Sequence, residues 1–495
     1  MRNSLSKYDV IVVGAGPAGL FTAYKIITEK PNTLISIIEK GKSLEKRKCP
    51  AIEKKTNCVK CDICSIMSGA AGAGAFSDCK FPITNDFGGT LWEKIGKEKS
   101  LKLQREIDEI NRELYYKNMG VEGESLISSF EYNYPEKAFP KLYSSKSSMY
   151  KRICTQHNLH LLDADIRHLG TDKGQIIYGQ LCKILLEKNV QFFFEEEVTS
   201  IEKVAEEGVE KYFHLKTTKS NGLKDCRDLY SKHVVIAAGR VGSKWVSKLC
   251  GDLKIPTLAN KVDIGIRFEC PNEIWKHVTD ELYESKIVYR TKTYEDEVRT
   301  FCMNPSGYVV TENSDGLVTV NGHAFEDKNK KSENTNFALL VSQSFTEPFN
   351  DSNAYGKAII QLSNMLGGGV IVQRLGDLIR GKRSTKNRIL HNSVTPTLNA
   401  EPGDLSLVLP KRILDDIIEM IEQLDHLVPG MKNDDNLLFG VEFKMYSMAV
   451  QTNKRFEAEN YRGLYFIGDG AGVTHSLSQA SANGLQLGEY IAEEL

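Results

Sequence analysis

The sequence lacks a charge excess, long apolar runs and an unusual share of proline. Lys and Arg number 64 and Asp and Glu 65, a formal net charge of −1, whereas a general nucleic-acid-binding protein normally carries a basic excess. No stretch has the roughly 18 or more uninterrupted apolar residues of a membrane span. With 14 prolines and 39 glycines in 495 residues, the chain is neither collagen-like nor of low complexity. These absences indicate a globular protein. They argue against general nucleic-acid binding and against a segment that spans a membrane.

The N-terminus is only superficially similar to a signal peptide. Arg2 and Lys7 precede the apolar run 10–13, but that run leads straight into a glycine motif and is better explained as a strand. We therefore expect a cytoplasmic protein. Its length predicts two to four structural units at roughly 100–200 residues per domain.

Hydrophobic periodicity predicts alternating strands and helices. Strands are expected at 9–13, 33–39, 190–194, 212–217, 233–238, 262–268, 306–320 and 464–467. Helices are expected at 17–29, 97–116, 173–188, 334–345, 353–365, 412–423 and 478–494. This alternation favours an α/β fold.

The first strand and helix flank a glycine motif that is typical of dinucleotide-binding proteins. Gly14, Gly16 and Gly19 form GxGxxG, and Glu39 ends the next strand 20 residues after Gly19. Gly14 permits the tight turn, Gly16 lets the backbone approach a pyrophosphate, and Gly19 lets helix and strand pack closely. The phosphates would lie at the positive end of the helix. Glu39 would bind the adenosine ribose.

Two later segments favour FAD over NAD as the resident cofactor. The run 234–239 (VVIAAG) resembles the second strand-turn of two-dinucleotide flavoproteins, and 463–472 (GLYFIGDGAG) resembles their C-terminal FAD motif. In that motif the aspartate, here Asp469, holds the ribityl chain. No second GxGxxG follows a strand, so electrons would come from transient NAD(P)H, the substrate or another redox centre.

Four cysteines lie close together in a stretch expected to be irregular. They are Cys49, Cys58, Cys61 and Cys64, with a C-x2-C-x2-C core. This spacing is compatible with an iron–sulfur cluster such as [4Fe–4S], with a zinc site, or with unliganded thiols. The small residues at 68–75 indicate a loop that approaches a cofactor closely. Cys79 directly follows that loop.

Together these segments resemble the FAD-dependent dehydrogenase-like proteins of bacteria and archaea, relatives of glutathione-reductase-type flavoproteins and geranylgeranyl reductases. The matching stretches are VIVVGAGPAGL, the cysteine loop, GAGAFSD, HLGTDK (168–173), VDIGIRFE (262–269), RTFCMNPSG (299–307), NGH (321–323) and GLYFIGDGAGVTHSLSQASANG. Cys79 departs from the pattern, because that family usually has glycine there, which weakens a catalytic role for this thiol.

The resemblance implies a discontinuous Rossmann-like FAD domain of the glutathione-reductase type, formed by residues 1–80, 165–245 and 455–495. It also implies a helical insertion at 81–164 and a mixed α+β substrate domain at 246–454. The cofactor-binding residues that we expect are Gly14, Gly16, Pro17, Ala18, Gly19, Glu39, Lys40, Gly72, Gly74, Ala75, Val198, Ala238, Gly239, Gly468, Asp469, Ser478, Gln479 and Ala480.

The leading hypothesis is an FAD-dependent oxidoreductase that moves a hydride or electrons between flavin and a small organic substrate, for example in reducing a C=C or C=N bond. Its electrons would come from NAD(P)H or from a ferredoxin-type donor. His475 and His323 are the candidate acids or bases, and Cys302 and Cys79 are weaker candidates.

Three other functions remain open at the level of sequence. They are a flavin monooxygenase, a flavin-bound electron carrier or redox sensor, and a tRNA-modifying flavoprotein. The last would use the basic segment 374–388 (RLGDLIRGKRSTKNR), although such a run is more often a solvated surface.

Overall fold

A computed structural model describes residues 6–54, 59, 61–204, 212–220, 226–314, 316–325, 328–345, 349 and 351–495. The chain divides into two compact units. The first unit comprises Met1–Lys141, Arg167–Leu258 and Ser447–Leu495, and the second comprises Leu142–Ile166 and Ala259–Tyr446. Both are discontinuous in sequence. The division assigns 142–166 to the second unit, so the stretch predicted as a single insertion contributes to both.

Helices and strands alternate through most of the described chain. The helices are α1 Pro17–Glu29, α2 Pro50–Lys54, α3 Leu91–Ile95, α4 Lys97–Asn118, α5 Glu124–Asn133, α6 Ser148–Gln156, α7 Gly170–Glu187, α8 Ser243–Asp252, α9 Asn272–Leu282, α10 Ser352–Gly367, α11 Leu375–Ile379, α12 Lys386–Leu390, α13 Lys411–Leu427 and α14 Leu477–Glu494. The strands are β1 Ser6–Val13, β2 Ile35–Glu39, β3 Lys80–Ile83, β4 Leu142–Ser144, β5 Leu159–Leu161, β6 Asp165–His168, β7 Gln191–Phe194, β8 Glu196–Val204, β9 Tyr212–Lys219, β10 Cys226–Ile236, β11 Thr257–Leu258, β12 Val262–Pro271, β13 Ile287–Arg290, β14 Glu297–Asn304, β15 Tyr308–Ser314, β16 Leu317–His323, β17 Asn334–Gln343, β18 Ile371–Arg374, β19 Glu401–Pro402, β20 Leu437–Lys444, β21 Ala449–Val450 and β22 Leu464–Phe466.

The first unit is built on a largely parallel sheet with the order β7-β2-β1-β10-β9-β8. The pairs β7–β2, β2–β1 and β1–β10 are parallel, and β22 also pairs in parallel with β10. Strands β9 and β8 continue the sheet in antiparallel pairs. Every residue of β2 is buried, as expected of a strand that is covered on both faces. The predicted α/β fold class with a Rossmann-like parallel sheet is therefore confirmed.

The second unit is a mixed sheet with the order β19-β18-β20-β12-β17-β14-β13-β5 and mainly antiparallel pairing. Alternate residues of β12 point to opposite faces. Ile264, Ile266 and Phe268 join the hydrophobic core that includes residues of α13. The other face of β12 carries Asp263 and Arg267, both fully buried. The polar side chains of β12 thus lie on the face opposite this core, where Phe439 of β20 and Val372 of β18 belong to a second apolar cluster.

The prediction of a helix at 334–345 is wrong, because these residues form β17 between β12 and β14. The run Phe337–Val341 is continuously apolar and buried, and a short run of that kind does not distinguish a buried strand from a buried helix. The strand-like stretch 306–320 forms two antiparallel strands, β15 and β16.

Among the described helices, none combines the length and the apolar character that crossing a membrane requires.

A pair of carboxyl groups in the second unit predicts a pH-dependent stability. Burial and the neighbouring Asp296 raise the pKa of Asp416 on α13 to about 6. The folded state therefore holds this proton more tightly than the unfolded chain, so stability falls as the pH rises from about 4 to 6. We expect Asp416→Asn to stabilise the protein by about 1–2 kcal/mol at pH 8, less than the full shift because solvent screens the pair. At pH 4 the gain should vanish, and thermal unfolding at both pH values measures it.

Candidate functional site

The turn between β1 and α1 is built around glycines that no other residue could replace. Gly14 has φ +108°, and a Cβ atom there would lie 2.3 Å from the carbonyl oxygen of Ala237. A Cβ atom on Gly19 would lie 2.2 Å from the carbonyl oxygen of Gly14. The two glycines thus serve the tight turn and the close helix–strand contact expected of them.

Gly16 differs because the space around it is open. A Cβ atom on Gly16 would meet nothing within 4 Å. Gly16 is the N-cap of α1, without a side-chain cap, and the first turn contains no acidic residue. Pro17 and Ala18 begin the helix. The amide groups at this helix end and its partial positive charge therefore offer a place for an anionic group.

Glu39 ends β2 and binds the backbone of three loops. Its Oε2 accepts a hydrogen bond from the Ala15 amide at 2.9 Å. Its Oε1 accepts from the amides of Gly41 at 2.8 Å and Gly69 at 2.9 Å. The carboxylate was predicted to bind a ribose, and the structure adds that it fixes the glycine turn. Carboxylate oxygens have about four acceptor positions, so one position remains for a hydroxyl group.

Arg47 was not predicted, yet it organises the loop that follows the cysteines. It is 4% exposed, and its guanidinium donates hydrogen bonds to four backbone carbonyls. The acceptors are Ser65 at 2.8 Å, Ile66 at 2.7 Å, Ala70 at 2.6 Å and Gly72 at 2.7 Å. Burial lowers the pKa of Arg47 to about 10, and the charge of Glu39 opposes that shift. Its position in the basic run 46–48 gave no signal of burial.

The loop held by Arg47 lies against the glycine turn. The Ala71 amide donates to the Ala15 carbonyl at 2.7 Å, and a Cβ atom on Gly72 would lie 3.2 Å from the Cα of Gly16. Gly74 is equally confined, since its Cβ would lie 2.8 Å from Leu477. Gly72, Gly74 and the buried Ala75 thus pack closely beside α1, and their contact with a cofactor remains a prediction.

Asp469 lies just beyond β22, whose carboxyl end neighbours that of β10. Its Oδ1 accepts a hydrogen bond from Thr474 Oγ1 at 2.7 Å, and its Oδ2 lies 3.7 Å from Arg240 Nε. Burial raises the pKa of Asp469, while Arg240 and Thr474 oppose that rise. Gly468 has φ +74°, and its Cβ would lie 3.1 Å from Ala18. The C-terminal motif therefore adjoins the N-terminus of α1, and Arg240 directly follows the predicted Gly239.

The predicted residues at the start of α14 bind β3 and the segment that follows it. The Ser478 hydroxyl donates to the Pro82 carbonyl. Gln479 Nε2 donates to the carbonyls of Thr84 at 3.3 Å and Phe87 at 3.0 Å. Ala480 is buried. These side chains fix the N-terminus of α14, and any contact with a cofactor remains a prediction.

Four other predicted cofactor residues lie around the same sheet. Lys40 follows β2, and its Nζ lies 4.0 Å from Glu197. Val198 is buried in β8. Ala238 and Gly239 follow β10, and a Cβ on Gly239 would meet nothing within 4 Å. The turn after β10 is thus open at its glycine, as Gly16 is after β1.

Cys79 is buried and structural. Its Sγ donates to the Gly74 carbonyl at 3.1 Å, and a Cβ on Gly174 would lie 2.1 Å from that sulfur. Burial raises the pKa of Cys79 to about 12. A thiol in this state is a poor nucleophile at neutral pH, so the structure assigns Cys79 to packing between the Gly72–Phe76 turn and α7.

The cysteine cluster is only partly described. Cys58 lies outside the described residues, and Cys49, Cys61 and Cys64 have free thiols. Within the described part of the chain, no three His, Cys, Asp or Glu side chains are grouped as a metal would require. The described cysteines thus do not fit a preformed metal centre, and an iron–sulfur or zinc site remains a prediction from spacing.

The two candidate histidines lie in different units. The His475 amide donates to the Gly88 carbonyl at 2.8 Å, next to the Ser476 N-cap of α14. His323 ends β16, and its ring lies edge-on to Phe325 at 4.5 Å between centroids. The proposed acid–base role of either histidine therefore stays a prediction.

The basic segment 374–388 is partly neutralised by neighbouring carboxylates. Three of its four arginines form ion pairs, namely Arg374 with Asp435, Arg380 with Asp434 at 2.8 Å and Arg388 with Asp377 at 2.6 Å. Arg383 donates to the Pro402 carbonyl at 3.4 Å. Arginines that are held in this way are less available to phosphate groups than a solvated patch would be.

The first-unit residues fit a dinucleotide. Carboxylates stand at the carboxyl ends of β2 and β22, and an open helix N-terminus stands between them at the end of β1. In open α/β sheets, ligands bind at the carboxyl ends of the strands. The open space at Gly16 gives a pyrophosphate room to approach. We call this set of residues the dinucleotide site.

Sequence comparison gives a family match in the second unit. Residues 264–445 match the family described as "FAD-dependent protein, C-terminal domain-like". An uncharacterized protein of Clostridium beijerinckii is 28% identical over 252 residues, which is 47% of this chain. The match covers 46% of that relative's length.

Solved structures that resemble the chain include an oxidase and a monooxygenase. Glycine oxidase from Geobacillus kaustophilus has 11% identity and a TM-score of 0.39, covering 99% of this chain and 95% of the oxidase. The p-nitrophenol 4-monooxygenase from Pseudomonas putida has 11% identity and a TM-score of 0.38, covering 99% and 80% respectively. Values this low leave the reaction and the substrate of this chain open.

Proposed function

We propose that this protein is an FAD-dependent oxidoreductase acting on a small organic substrate. The observation that carries the proposal is the dinucleotide site, in which Gly16, Glu39 and Asp469 surround the N-terminus of α1. The family match of residues 264–445 to FAD-dependent proteins supports the choice of flavin.

The chain's own residues would hold the cofactor in three places. The amides at the start of α1 would bind the pyrophosphate, since they are unpaired at a helix end. Glu39 would accept a bond from the adenosine ribose with its remaining acceptor position. Asp469 would accept from the ribityl chain, and Arg240 would keep its carboxylate in place. FAD, once bound, would supply hydride or electron transfer to the substrate.

The reaction we favour is a dehydrogenation or a reduction, for example of a C=C or C=N bond. A monooxygenase is the main alternative. An electron carrier or a redox sensor fits less well, because the second unit provides a whole additional domain. The tRNA-modifying alternative is disfavoured by the ion pairs of segment 374–388.

The experiment is anaerobic reduction of the protein's flavin by NADH, NADPH and a reduced viologen that stands in for ferredoxin. The reduced protein is then mixed with oxygen or with unsaturated organic acceptors, and the rate of flavin reoxidation is measured. We expect reoxidation by an organic acceptor to be at least tenfold faster than by oxygen. Oxygen consumption coupled to hydroxylation would instead identify a monooxygenase, and indifference to every acceptor would favour the electron carrier.

Iron, sulfide and zinc measured on the same sample test whether the cysteine cluster holds a metal. About four irons and four sulfides per chain would establish a [4Fe–4S] cluster. Zinc without iron would indicate a structural metal site, and neither metal would mean unliganded thiols. Cys61→Ser should lower the metal content without loss of flavin.

A further inference from the structure

A buried threonine holds the carboxylate of Asp469 from the protein side. Thr474 is 0% exposed, and its Oγ1 donates a hydrogen bond to Asp469 Oδ1 at 2.7 Å. The Asp469 side chain itself is 23% exposed, so its carboxylate is accessible from the dinucleotide site. Thr474 can therefore orient this carboxylate without touching a ligand that binds there.

The other oxygen of Asp469 has a looser partner. Asp469 Oδ2 lies 3.7 Å from Arg240 Nε, which is beyond hydrogen-bonding distance, and the Arg240 side chain is 49% exposed. Ion pairs between groups that water reaches are weak, because the solvent screens their attraction. Arg240 thus attracts the carboxylate, whereas the directional bond from Thr474 sets its orientation.

The backbone of Thr474 is held in place by a neighbouring segment. Thr474 forms an isolated antiparallel bridge with Gly89, and the amide of Thr90 donates to the Val473 carbonyl at 2.9 Å. A Cβ atom on Gly89 would lie 2.7 Å from the Cα of Thr474. The two segments are thus in direct backbone contact, and this contact fixes the atom from which the Thr474 hydroxyl extends.

The same hydroxyl favours the ionised form of Asp469. Burial raises the pKa of Asp469, and both the Arg240 charge and the Thr474 hydroxyl oppose that rise. An ionised carboxylate only accepts hydrogen bonds, and it has about four acceptor positions. Thr474 takes one of them. Acceptor positions therefore remain for the hydroxyl groups of a bound ligand.

We propose that Thr474 is a positioning residue, which orients Asp469 so that its free acceptor positions receive the ribityl hydroxyl groups of FAD. The inference rests on the proposed function, in which Asp469 binds the ribityl chain, and it adds a residue that acts only through Asp469. A hydrogen bond to an ionised group is roughly twice as strong as one between neutral groups. The loss of this bond should therefore be measurable as weaker FAD binding.

The test is equilibrium titration of the full-length apoprotein with FAD. Thr474→Val keeps the shape of the side chain and removes its hydroxyl, so FAD binding should weaken at least about fivefold. Thr474→Ser retains the hydroxyl and should restore most of the lost affinity. Wild-type affinity in Thr474→Val would overturn the proposal, as would a Thr474→Ser protein that binds FAD no better than Thr474→Val.

Thr217→Val is the matched control, because it also removes a buried hydroxyl that is bonded to a carboxylate. Thr217 on β9 is 1% exposed, and its hydroxyl donates to Glu196, which is 0% exposed. Water reaches Glu196 less than Asp469, so Thr217→Val should lose at least as much thermal stability as Thr474→Val. It should nevertheless bind FAD as the wild type does. Equally weakened FAD binding in both variants would attribute the effect to lost stability and overturn the proposal.

A double-mutant cycle tests whether Thr474 acts through Asp469. In an Asp469→Ala background the hydroxyl has no carboxylate to orient, so adding Thr474→Val should cause no further loss of FAD affinity. The full loss seen in the wild-type background would contradict this expectation. It would mean that Thr474 affects FAD by another route, and the proposal would be overturned.

The single variants separate this inference from the proposed function. Weaker FAD binding in Asp469→Ala, together with unchanged binding in Thr474→Val, would overturn the role of Thr474 and leave the proposed function standing. Unchanged binding in Asp469→Ala would overturn the ribityl contact and, with it, the role of Thr474. A wild-type protein that binds no FAD would overturn the proposed function itself.

Discussion

Gly16→Val should yield a folded protein that has lost its FAD. The open space around Gly16 means that the valine side chain meets no protein atom at its Cβ, and φ −75° with ψ 178° suits a side chain. The added atoms would instead occupy the space through which a pyrophosphate reaches the α1 amides. We expect FAD affinity to fall at least about 100-fold, while the loss of an N-cap glycine costs only about 1 kcal/mol of stability. Equilibrium titration with FAD and thermal unfolding of the apoprotein measure the two effects.

Gly251→Val is the matched control for this substitution. A Cβ on Gly251 also meets nothing within 4 Å, and this glycine lies near the end of α8. It should bind FAD as the wild type does. If Gly16→Val retains stoichiometric FAD, the dinucleotide site is misplaced.

Arg47→Met should destabilise the first unit and weaken FAD binding together. Methionine fills much of the same volume, yet it leaves four backbone carbonyls without their donor, in one buried and three part-buried hydrogen bonds. Each unsatisfied buried group costs about 1–3 kcal/mol, less where water enters. We expect a loss of about 3–5 kcal/mol, in line with removing one partner from a buried charged network. Denaturant unfolding measures it.

The effect on FAD follows from the position of the loop. The Ala71 amide is hydrogen-bonded to the Ala15 carbonyl of the glycine turn, and Arg47 binds the carbonyls of Ala70 and Gly72 on either side of Ala71. Hydrogen exchange at the Ala71 amide should therefore rise in Arg47→Met. Lys48→Met, one residue away and 71% exposed, should change neither stability nor exchange. An Arg47→Met protein with wild-type stability would show that the loop is held by something else.

Local patterns were sufficient to predict most of the first unit. The helix predicted at 17–29 is α1, Pro17–Glu29, and the glycine motif predicted the turn at its start. These features depend on contacts between neighbours in sequence, such as Gly14 with Gly19. The helix predicted at 97–116 is likewise present as α4, because one of its faces is regularly apolar.

Features that depend on distant contacts were missed. Arg47 lies in a run of basic residues that is typical of a surface, and only the fold brings the carbonyls of 65–72 around it. Strand β17 was predicted as a helix because its apolar run carries no periodicity once both sheet faces are covered. The motifs at 262–269, 299–307 and 321–323 were visible in the sequence, but their common polar face was not. Gly322, for example, lies so close to Arg267 that a Cβ would be 2.3 Å from its Nη2.

The central claim is that the dinucleotide site holds FAD. The most direct measurement uses protein that is purified anaerobically and then reconstituted with FAD, FMN or NAD. The cofactor that the protein retains is released, and its identity and its amount per chain are determined. We predict one FAD per chain, and no tight binding of FMN, because FMN lacks the adenosine ribose that Glu39 would bind. Tight NAD binding without FAD, or no dinucleotide bound at all, would contradict the account.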